Sequence, residues 1–456
     1  MSTTSAAPST TADAPRRIGY CDIWTIAFPI LLSSLVEQII GITDTAFLGR
    51  VGEIELGGSA LGGVFFISVF MLIWGFCSGA QILMGRRNGE GRYAELGTVF
   101  YHSLGFLSLV TIGLWTFTHF CAPSILRLII SSPEVYEAAW TYLDWRMWGV
   151  FFTMVAVLFR AFYVATTRTS VLKYNSIVMV LANVLFDYLL IFGHWGFPEM
   201  GIAGAAIASA AASFFSMLYF LVYTVWKGDA AKYALNRLPK FKPRLLVKML
   251  SVSIWMMVQS FLSLTTWFLF FIAIEHIGPH ELAVTNVLRS ISGFTFMSLI
   301  ALASTASTLT SNLLGSGDVP AIRPMLFRAI LMGFFISAPV WTIILLFPEA
   351  VIRIFTPDVA IIASGVPPLY ILGASYIFQV PGQILFMSVS GTGNTRTALA
   401  IEVLSLVVYV WYVWYFIYEL RSSLSVAWGS EVIYAFIILI FSYAYFRWGN
   451  WHHKQI

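Results

Sequence analysis

Apolar stretches long enough to cross a lipid bilayer recur about 12 times along the 456-residue chain. The composition agrees with this pattern, because 59% of the residues are hydrophobic and only 11% are charged. Soluble proteins average about 25% charged residues. The sequence therefore predicts an all-α polytopic membrane protein with about 12 transmembrane helices.

One long polar segment divides the apolar stretches into two sets of six. It covers residues 227–248 and contains seven Lys and Arg residues, which predicts a basic cytosolic linker. We expect one six-helix lobe at residues 23–226 and a second at residues 249–456. Residues 1–22, which are rich in Ser, Thr, Ala and Pro, are expected to form a disordered cytosolic tail.

Short motifs recur in the same order in the two halves. GEIEL at 52–56 corresponds to GPHEL at 278–282, and TRT at 167–169 corresponds to TRT at 395–397. Such matches in equivalent loops indicate an internal repeat. Because each half has an even number of spans, the two bundles share one orientation and are related by a pseudo-two-fold axis along the membrane normal. Two bundles of this kind enclose a central cleft.

The positions of Lys and Arg predict the orientation, because cytosolic loops retain positive charge. About 20 of the 26 Lys and Arg residues fall in the tail, the even-numbered loops and the C-terminus. We therefore expect both termini to be cytosolic in a multi-pass protein of a cell membrane, a bacterial inner membrane in particular. Asp144 and Arg146 stand among Trp residues and are expected in an outer aromatic belt.

The first span carries two acids, Glu37 and Asp44, with Gln38 beside them. An ionised carboxylate in the bilayer core costs several kcal/mol unless it is compensated. The acids are seven residues apart, about two helical turns, so both are expected on one face towards water or protein. The alternative is that either acid lies near a helix end and extends to the membrane surface. Pro29, in the same span, removes a backbone hydrogen bond and is a candidate hinge.

The fifth span places Asn183 and Asp187 four residues apart, on one helix face. We expect Asp44 and Asp187 to lie in the outer half of the membrane, where two carboxylates and an amide can meet. At hydrocarbon depth a carboxylate favours its protonated form, and a second acid nearby strengthens this preference. The composition is that of a proton relay. Alternatively, Asp187 only ties neighbouring helices together by hydrogen bonds.

The second lobe differs, because its core spans carry amides and hydroxyls but no acid is expected well inside it. Glu275 and Glu402 fall close to span ends, so any ion coupling is expected in the first lobe. Arg289 either marks a pathway or extends outward to the surface. Pro381, in the tenth span, is a second candidate hinge.

The sequence lacks signatures of enzymes, of disulfide-rich proteins and of metal-binding proteins. It contains no H-E-x-x-H, G-x-S-x-G or P-loop pattern. Three scattered cysteines argue against disulfides or a thiolate metal site, and a net charge of +4 gives no argument for nucleic acid. We expect a non-enzyme without a cofactor or metal, a monomer that handles small organic molecules within the lipid bilayer.

Four segments together are similar to the multidrug and toxic compound extrusion (MATE) transporters. They are ITDTAFLGRVG at 42–52, GRRNGEGR at 85–92, the stretch from Asn183 to Ser209, and GTGNTRT at 391–397. The resemblance implies two six-helix bundles around an outward-opening cleft. It also implies export of organic, often cationic compounds, driven by inward flow of H⁺ or Na⁺.

The resemblance extends to single residues. Asp44 matches the acid of the family's first helix, Asn183 and Asp187 match the pair in its fifth helix, and Pro29 matches the proline at which the first helix bends. These residues form the cation site of the DinF-like branch. The sequence departs from the NorM-like branch, because the seventh span has no acid and Pro381 or its neighbours stand at the tenth-helix position.

The resulting hypothesis is a proton-coupled antiporter that works by alternating access. Asp44 and Asp187 would bind the proton and Asn183 would orient them, with Glu37, Gln38 and Arg289 as accessory candidates. The alternatives are a Na⁺-coupled exporter of the same family, a flippase for lipids or lipid-linked sugars from the same superfamily and, last, a membrane-embedded transferase.

Overall fold

The computed structural model describes residues 18–227 and 229–452, and within these ranges the regular structure is entirely helical. Residues 1–17 of the expected tail lie outside the described residues. Eleven helices are long and apolar enough to cross a membrane, or 12 when the bent pair α4 and α5 is counted as one span. The expected all-α multi-pass architecture is therefore confirmed. The helices are α1 Tyr20–Val51, α2 Glu53–Gly89, α3 Tyr93–Ile129, α4 Pro133–Trp148, α5 Val150–Ala165, α6 Ser170–Phe192, α7 Gly201–Trp226, α8 Asp229–Lys232, α9 Pro243–Ile277, α10 Pro279–Ser316, α11 Ile322–Leu346, α12 Pro348–Arg353, α13 Val359–Gly391, α14 Thr395–Val413 and α15 Leu424–Trp448.

The two halves begin with the same helix–glycine–helix unit. Gly52 joins α1 to α2 and Gly278 joins α9 to α10, each in an extended conformation with φ of 172° and 163°. The Gly52 amide donates to the Leu48 carbonyl at 3.2 Å and the Gly278 amide to the Ile274 carbonyl at 3.4 Å. Equivalent connections at equivalent places agree with the internal repeat read from the sequence.

The repeats differ at the fourth span of each half. In the first lobe the span breaks at Gly149 with a bend of 52° between α4 and α5. A side chain on Gly149 would place its Cβ 2.8 Å from Cβ of Ala210, so only glycine lets the corner pack against α7. The corresponding helix α13 continues through Pro367, Pro368 and Pro381. Helix α1 likewise continues across Pro29, so the hinge roles of Pro29 and Pro381 stay predictions.

The lobes meet where α2 and α10 end and α9 begins, which we call the closed end. Here the Gln81 amide donates to Thr308 Oγ1 at 3.0 Å and the Asn88 amide to Asn312 Oδ1 at 2.7 Å. Ser311 also donates to the Ile82 carbonyl at 2.6 Å. Towards their other ends these helices pack within their own lobes, since Gly58 and Gly62 of α2 approach α4 and Thr295 of α10 hydrogen-bonds to Tyr376 of α13. The central cleft therefore opens away from the closed end.

The segment between the lobes packs on the first lobe. Tyr233 is 1% exposed and meets the ring of Phe162 edge-on at 5.1 Å. The Tyr101 hydroxyl donates to the Leu235 carbonyl at 2.5 Å, and the Lys242 amide donates to His102 at 2.8 Å. The segment that was predicted as a linker is thus held by specific contacts with α3 and α5.

Candidate functional site

Close packing of α1, α6 and α7 positions the predicted acids. Helix α6 packs against both α1 and α7. Gly204 of α7 permits the approach, since a Cβ there would lie 2.6 Å from the Leu190 carbonyl. Asp44 projects from α1 and Asn183 and Asp187 project from α6 into the space that the three helices enclose.

The structure brings the two acids together. The carboxyl groups of Asp44 and Asp187 are close enough to repel each other when both are ionised, and Ser209 of α7 donates to Asp44 Oδ2 at 3.2 Å. Asp187 and Asn183 are both 0% exposed. Within the described residues no donor reaches either oxygen of Asp187, and both polar atoms of the Asn183 amide are also without a partner.

This arrangement suits a proton or a small cation. Buried polar groups are almost always hydrogen-bonded, whereas five side-chain atoms of Asp44, Asn183 and Asp187 have no partner among the described residues. Two adjacent carboxylates cannot both stay ionised away from water, because each raises the energy of the other's charge. A single shared proton converts the repulsion into a hydrogen bond. The site can therefore hold a proton, or a small cation coordinated by oxygens.

Arg146 is a site residue that the sequence reasoning placed wrongly. It was expected in an outer belt, but its guanidinium lies over the Phe66 ring at 4.4 Å, within electrostatic range of Asp187 and in contact with Tyr142. The cause is the packing of α4 between α2 and α7, which turns this face inward. Asp144, on another face of α4, is partly exposed and lies 3.2 Å from His119. The signal for Arg146 was its one-turn spacing from Tyr142.

Glu37 belongs to a different cluster from Asp44. Its Oε1 accepts from Arg160 Nη1 of α5 at 2.7 Å and lies 3.4 Å from the Ser33 hydroxyl. The Arg160 guanidinium also covers the Trp74 ring at 4.9 Å. Arg160 and Trp74 line a cavity between the lobes together with Gln81 and Ser304. The two acids of α1 thus belong to two separate clusters. Gln38, half-buried beside Glu37, makes no hydrogen bond among the described residues.

The pair between Glu37 and Arg160 should contribute measurably to stability. We expect Glu37→Gln and Arg160→Gln each to lower the free energy of unfolding. The first variant leaves Arg160, whose side chain is only 14% exposed, without its partner, and the second leaves Glu37 without its partner. The double variant should lose about 1 kcal/mol less than the sum of the single losses. Thermal unfolding in detergent measures all four proteins. Strictly additive losses would show that the ion pair contributes nothing.

Arg289, the accessory candidate of the second lobe, lies on α10 beside two aromatic rings of α9. Its guanidinium stands 5.7 Å from the ring centres of both Trp267 and Phe271. The side chain is exposed and has no ion-pair partner among the described residues. The structure thus gives Arg289 no contact with the acids of the first lobe among the described residues.

The second lobe also holds buried carboxyls, contrary to the expectation from the sequence. Glu402 is 1% exposed, lies 2.5 Å from the Ser263 hydroxyl and accepts from Tyr434 at 3.1 Å. Glu431 accepts from Tyr409 at 3.3 Å. Glu402 stands two turns into α14, and the expectation failed because α9, α13 and α15 surround that helix on several sides.

Comparisons with known proteins agree with this architecture. The MatE family model matches residues 29–189 and matches again at residues 254–415, which together make up more than half of the chain. The double match repeats the division into two lobes. The acids of the first lobe and Glu402 fall inside the matched ranges.

Individual relatives extend the agreement. The probable multidrug resistance protein NorM of Rhizobium meliloti is 25% identical over 367 residues, which cover 77% of this chain and 76% of that protein. A MOP superfamily transporter from Pyrococcus furiosus superposes with a TM-score of 0.86 at 19% identity, over 94% of this chain and 95% of that one. A multidrug resistance MATE transporter solved in an outward-facing conformation gives a TM-score of 0.85 at 18% identity, over 96% and 97% of the two chains. On the match of the family model to both halves, the chain belongs to the MATE family of multidrug efflux transporters.

Proposed function

We propose that this transporter exports organic cations in exchange for protons that bind at Asp44 and Asp187. The observation that carries the proposal is the pair formed by the buried Asp187 and the half-buried Asp44 with Asn183 on the same face of α6, in which five side-chain atoms have no partner among the described residues. A site of this kind is least costly when it holds one proton. Losing the proton leaves a negative charge that attracts a cation.

Alternating access connects this site to transport. If both termini are cytosolic, as the charge of the loops predicts, the closed end faces the cytosol and the cleft opens to the outside. In this conformation the acids would take up protons from the outer solution. Reorientation of the lobes would then expose the site to the cytosol, where proton release and substrate binding follow.

The charges around the cavity favour cationic over anionic substrates. Arg160 is a basic residue of the cavity wall, and Glu37 compensates its charge at 2.7 Å. A flippase for anionic lipids would need uncompensated basic groups there, and Arg160 is compensated by Glu37. The names of the curated relatives describe multidrug resistance, which agrees with export of organic compounds.

Sodium coupling is the second candidate, and it uses the same residues. Asp44, Asp187, Asn183 and Ser209 bring carboxyl, amide and hydroxyl oxygens into one place, which are ligands that hard cations prefer. We further propose that the protein belongs to the DinF-like branch of the family. We also propose that it is a monomer and that it lies in a bacterial inner membrane.

Proteoliposomes that contain the purified protein test the proposal. Ethidium efflux is followed under an imposed pH gradient and, separately, under an imposed Na⁺ gradient, for the wild type and for Asp44→Asn. We expect the pH gradient to drive transport in the wild type and not in the variant. Transport driven by Na⁺ alone would overturn the proton and retain the exporter. A purified protein that moves fluorescent lipid and not ethidium would overturn the exporter itself.

A further inference from the structure

We propose that Glu402 carries an exchangeable proton, so that the second lobe has a proton site of its own. The residue lies on α14 of the second lobe, outside the Asp44–Asp187 site. Its participation in transport rests on the proposed proton exchange, whereas its protonation does not.

The surroundings of Glu402 are polar but uncharged. The carboxyl is 1% exposed, between the Ser263 hydroxyl of α9 at 2.5 Å and the Tyr434 hydroxyl of α15, which lies 3.1 Å from both carboxyl oxygens. Among the described residues no Lys, Arg or His pairs with it. An ionised carboxylate removed from water without a cation is strongly disfavoured, and the neutral acid is the form that such a site holds.

The hydrogen positions lead to the same conclusion independently. Ser263 has one hydroxyl hydrogen, and its Oγ lies 3.0 Å from the Gln259 carbonyl as well as 2.5 Å from Glu402 Oε1. If the hydroxyl donates to the backbone carbonyl one turn earlier, the hydrogen in the shorter contact has to come from Glu402. A protonated Glu402 that donates to Ser263 satisfies both contacts.

A proton also fits the contacts of Glu402 better than a sodium ion does. The contact distances of 2.5 and 3.1 Å are those of hydrogen bonds and leave no room for a sodium ion between the oxygens.

Polar side chains of α13 lie near Tyr434, the partner of Glu402. Gln383 of α13 is close to the Tyr434 hydroxyl, which donates to Glu402 at 3.1 Å. Beside it, Glu431 accepts from Tyr409 at 3.3 Å and from Gln379 at 3.4 Å. Tyr434 can receive the proton of Glu402 on one lone pair and release its own on the other side, so the network offers an exit from the buried site.

Infrared difference spectroscopy tests the protonation directly. A protonated carboxyl absorbs in the carbonyl region, where an ionised one does not, so titration of the reconstituted protein should show a band that Glu402→Gln lacks. Glutamine keeps the shape and the contacts to Ser263 and Tyr434. As a second variant, Tyr434→Phe should shift this band and retain it, which keeps the test open if Glu402→Gln does not fold. Asp187→Asn identifies the band of the other site. A band unchanged in both Glu402→Gln and Tyr434→Phe would overturn the proposal.

The coupling between proton flow and ethidium export is measured with the same proteins in proteoliposomes. The expected result for Glu402→Gln is loss of most pH-driven ethidium efflux and fewer protons moved per ethidium. A variant that lacks the band but moves as many protons as the wild type would overturn the role in transport. If the wild type ignores the pH gradient altogether, the proton exchanger proposed above fails, while the infrared band still decides whether Glu402 is protonated.

Discussion

Replacing Asp187 by Asn should abolish pH-driven export while the protein still inserts and folds. Asparagine fills the same space at this fully buried position but cannot accept or release a proton. The remaining Asp44 then faces an amide and loses the second carboxyl of the proposed proton site. Initial rates of ethidium efflux from proteoliposomes under a pH gradient measure the effect, and we expect them to fall to the level of empty liposomes.

The matched control is Asp144→Asn, an acid of the same lobe that is partly exposed and lies beside His119. It should retain the wild-type rate. Because Asp44 and Asp187 act as one unit, the double variant should be no worse than either single variant. Export by Asp187→Asn at the rate of the control would remove the acid pair from the coupling mechanism.

Replacing Gly79 by Val should prevent the lobes from meeting at the closed end. A Cβ on Gly79 would lie 2.4 Å from Cα of Ser253 on α9, so the backbones have to separate to admit a side chain. The protein should then populate the conformation open at this end, and export should fall because the outward-open state becomes too costly. Spin labels at the exposed Arg92 and Ser316, one on each lobe, should report a longer distance between the labels by pulsed electron paramagnetic resonance.

Gly63→Val is the control for this experiment, because Gly63 belongs to the same helix but has nothing within 4 Å of its ideal Cβ. It carries the same loss of backbone freedom without the clash. We expect it to leave both the label distance and the export rate near those of the wild type. An unchanged label distance in Gly79→Val would show that the closed end tolerates the added volume.

The sequence was sufficient to predict the architecture because its signals are long and repeated. Each span extends over about 20 apolar residues, and the recurring motifs locate the second half relative to the first. The pairing of Asn183 with Asp187 follows from helix periodicity alone, since residues four apart share a face. That Asp44 lies near Asp187 depends on the packing of α1 on α6. Helix periodicity could not predict this packing, and only the family resemblance implied it.

The errors arose where a side chain's neighbours come from distant parts of the chain. Arg146 turns inward because α2 and α7 enclose α4, and Glu402 is buried because three helices surround α14. Glu37 lies two turns before Asp44 and was expected on the same face of α1, yet it pairs with Arg160, which is more than a hundred residues away in sequence. Periodicity determines which residues share a helix face but does not determine which helix that face meets.

The closed end joins the lobes through amides and hydroxyls, with Gln81 and Asn88 on one side and Thr308 and Asn312 on the other. When such groups separate into water they exchange one hydrogen bond for another, at a net cost of about 1 kcal/mol each. An apolar contact of equal area would expose its surface to water every time the lobes separated, at a cost in free energy proportional to that area. The polar contacts therefore allow the lobes to separate and rejoin without a large free-energy penalty.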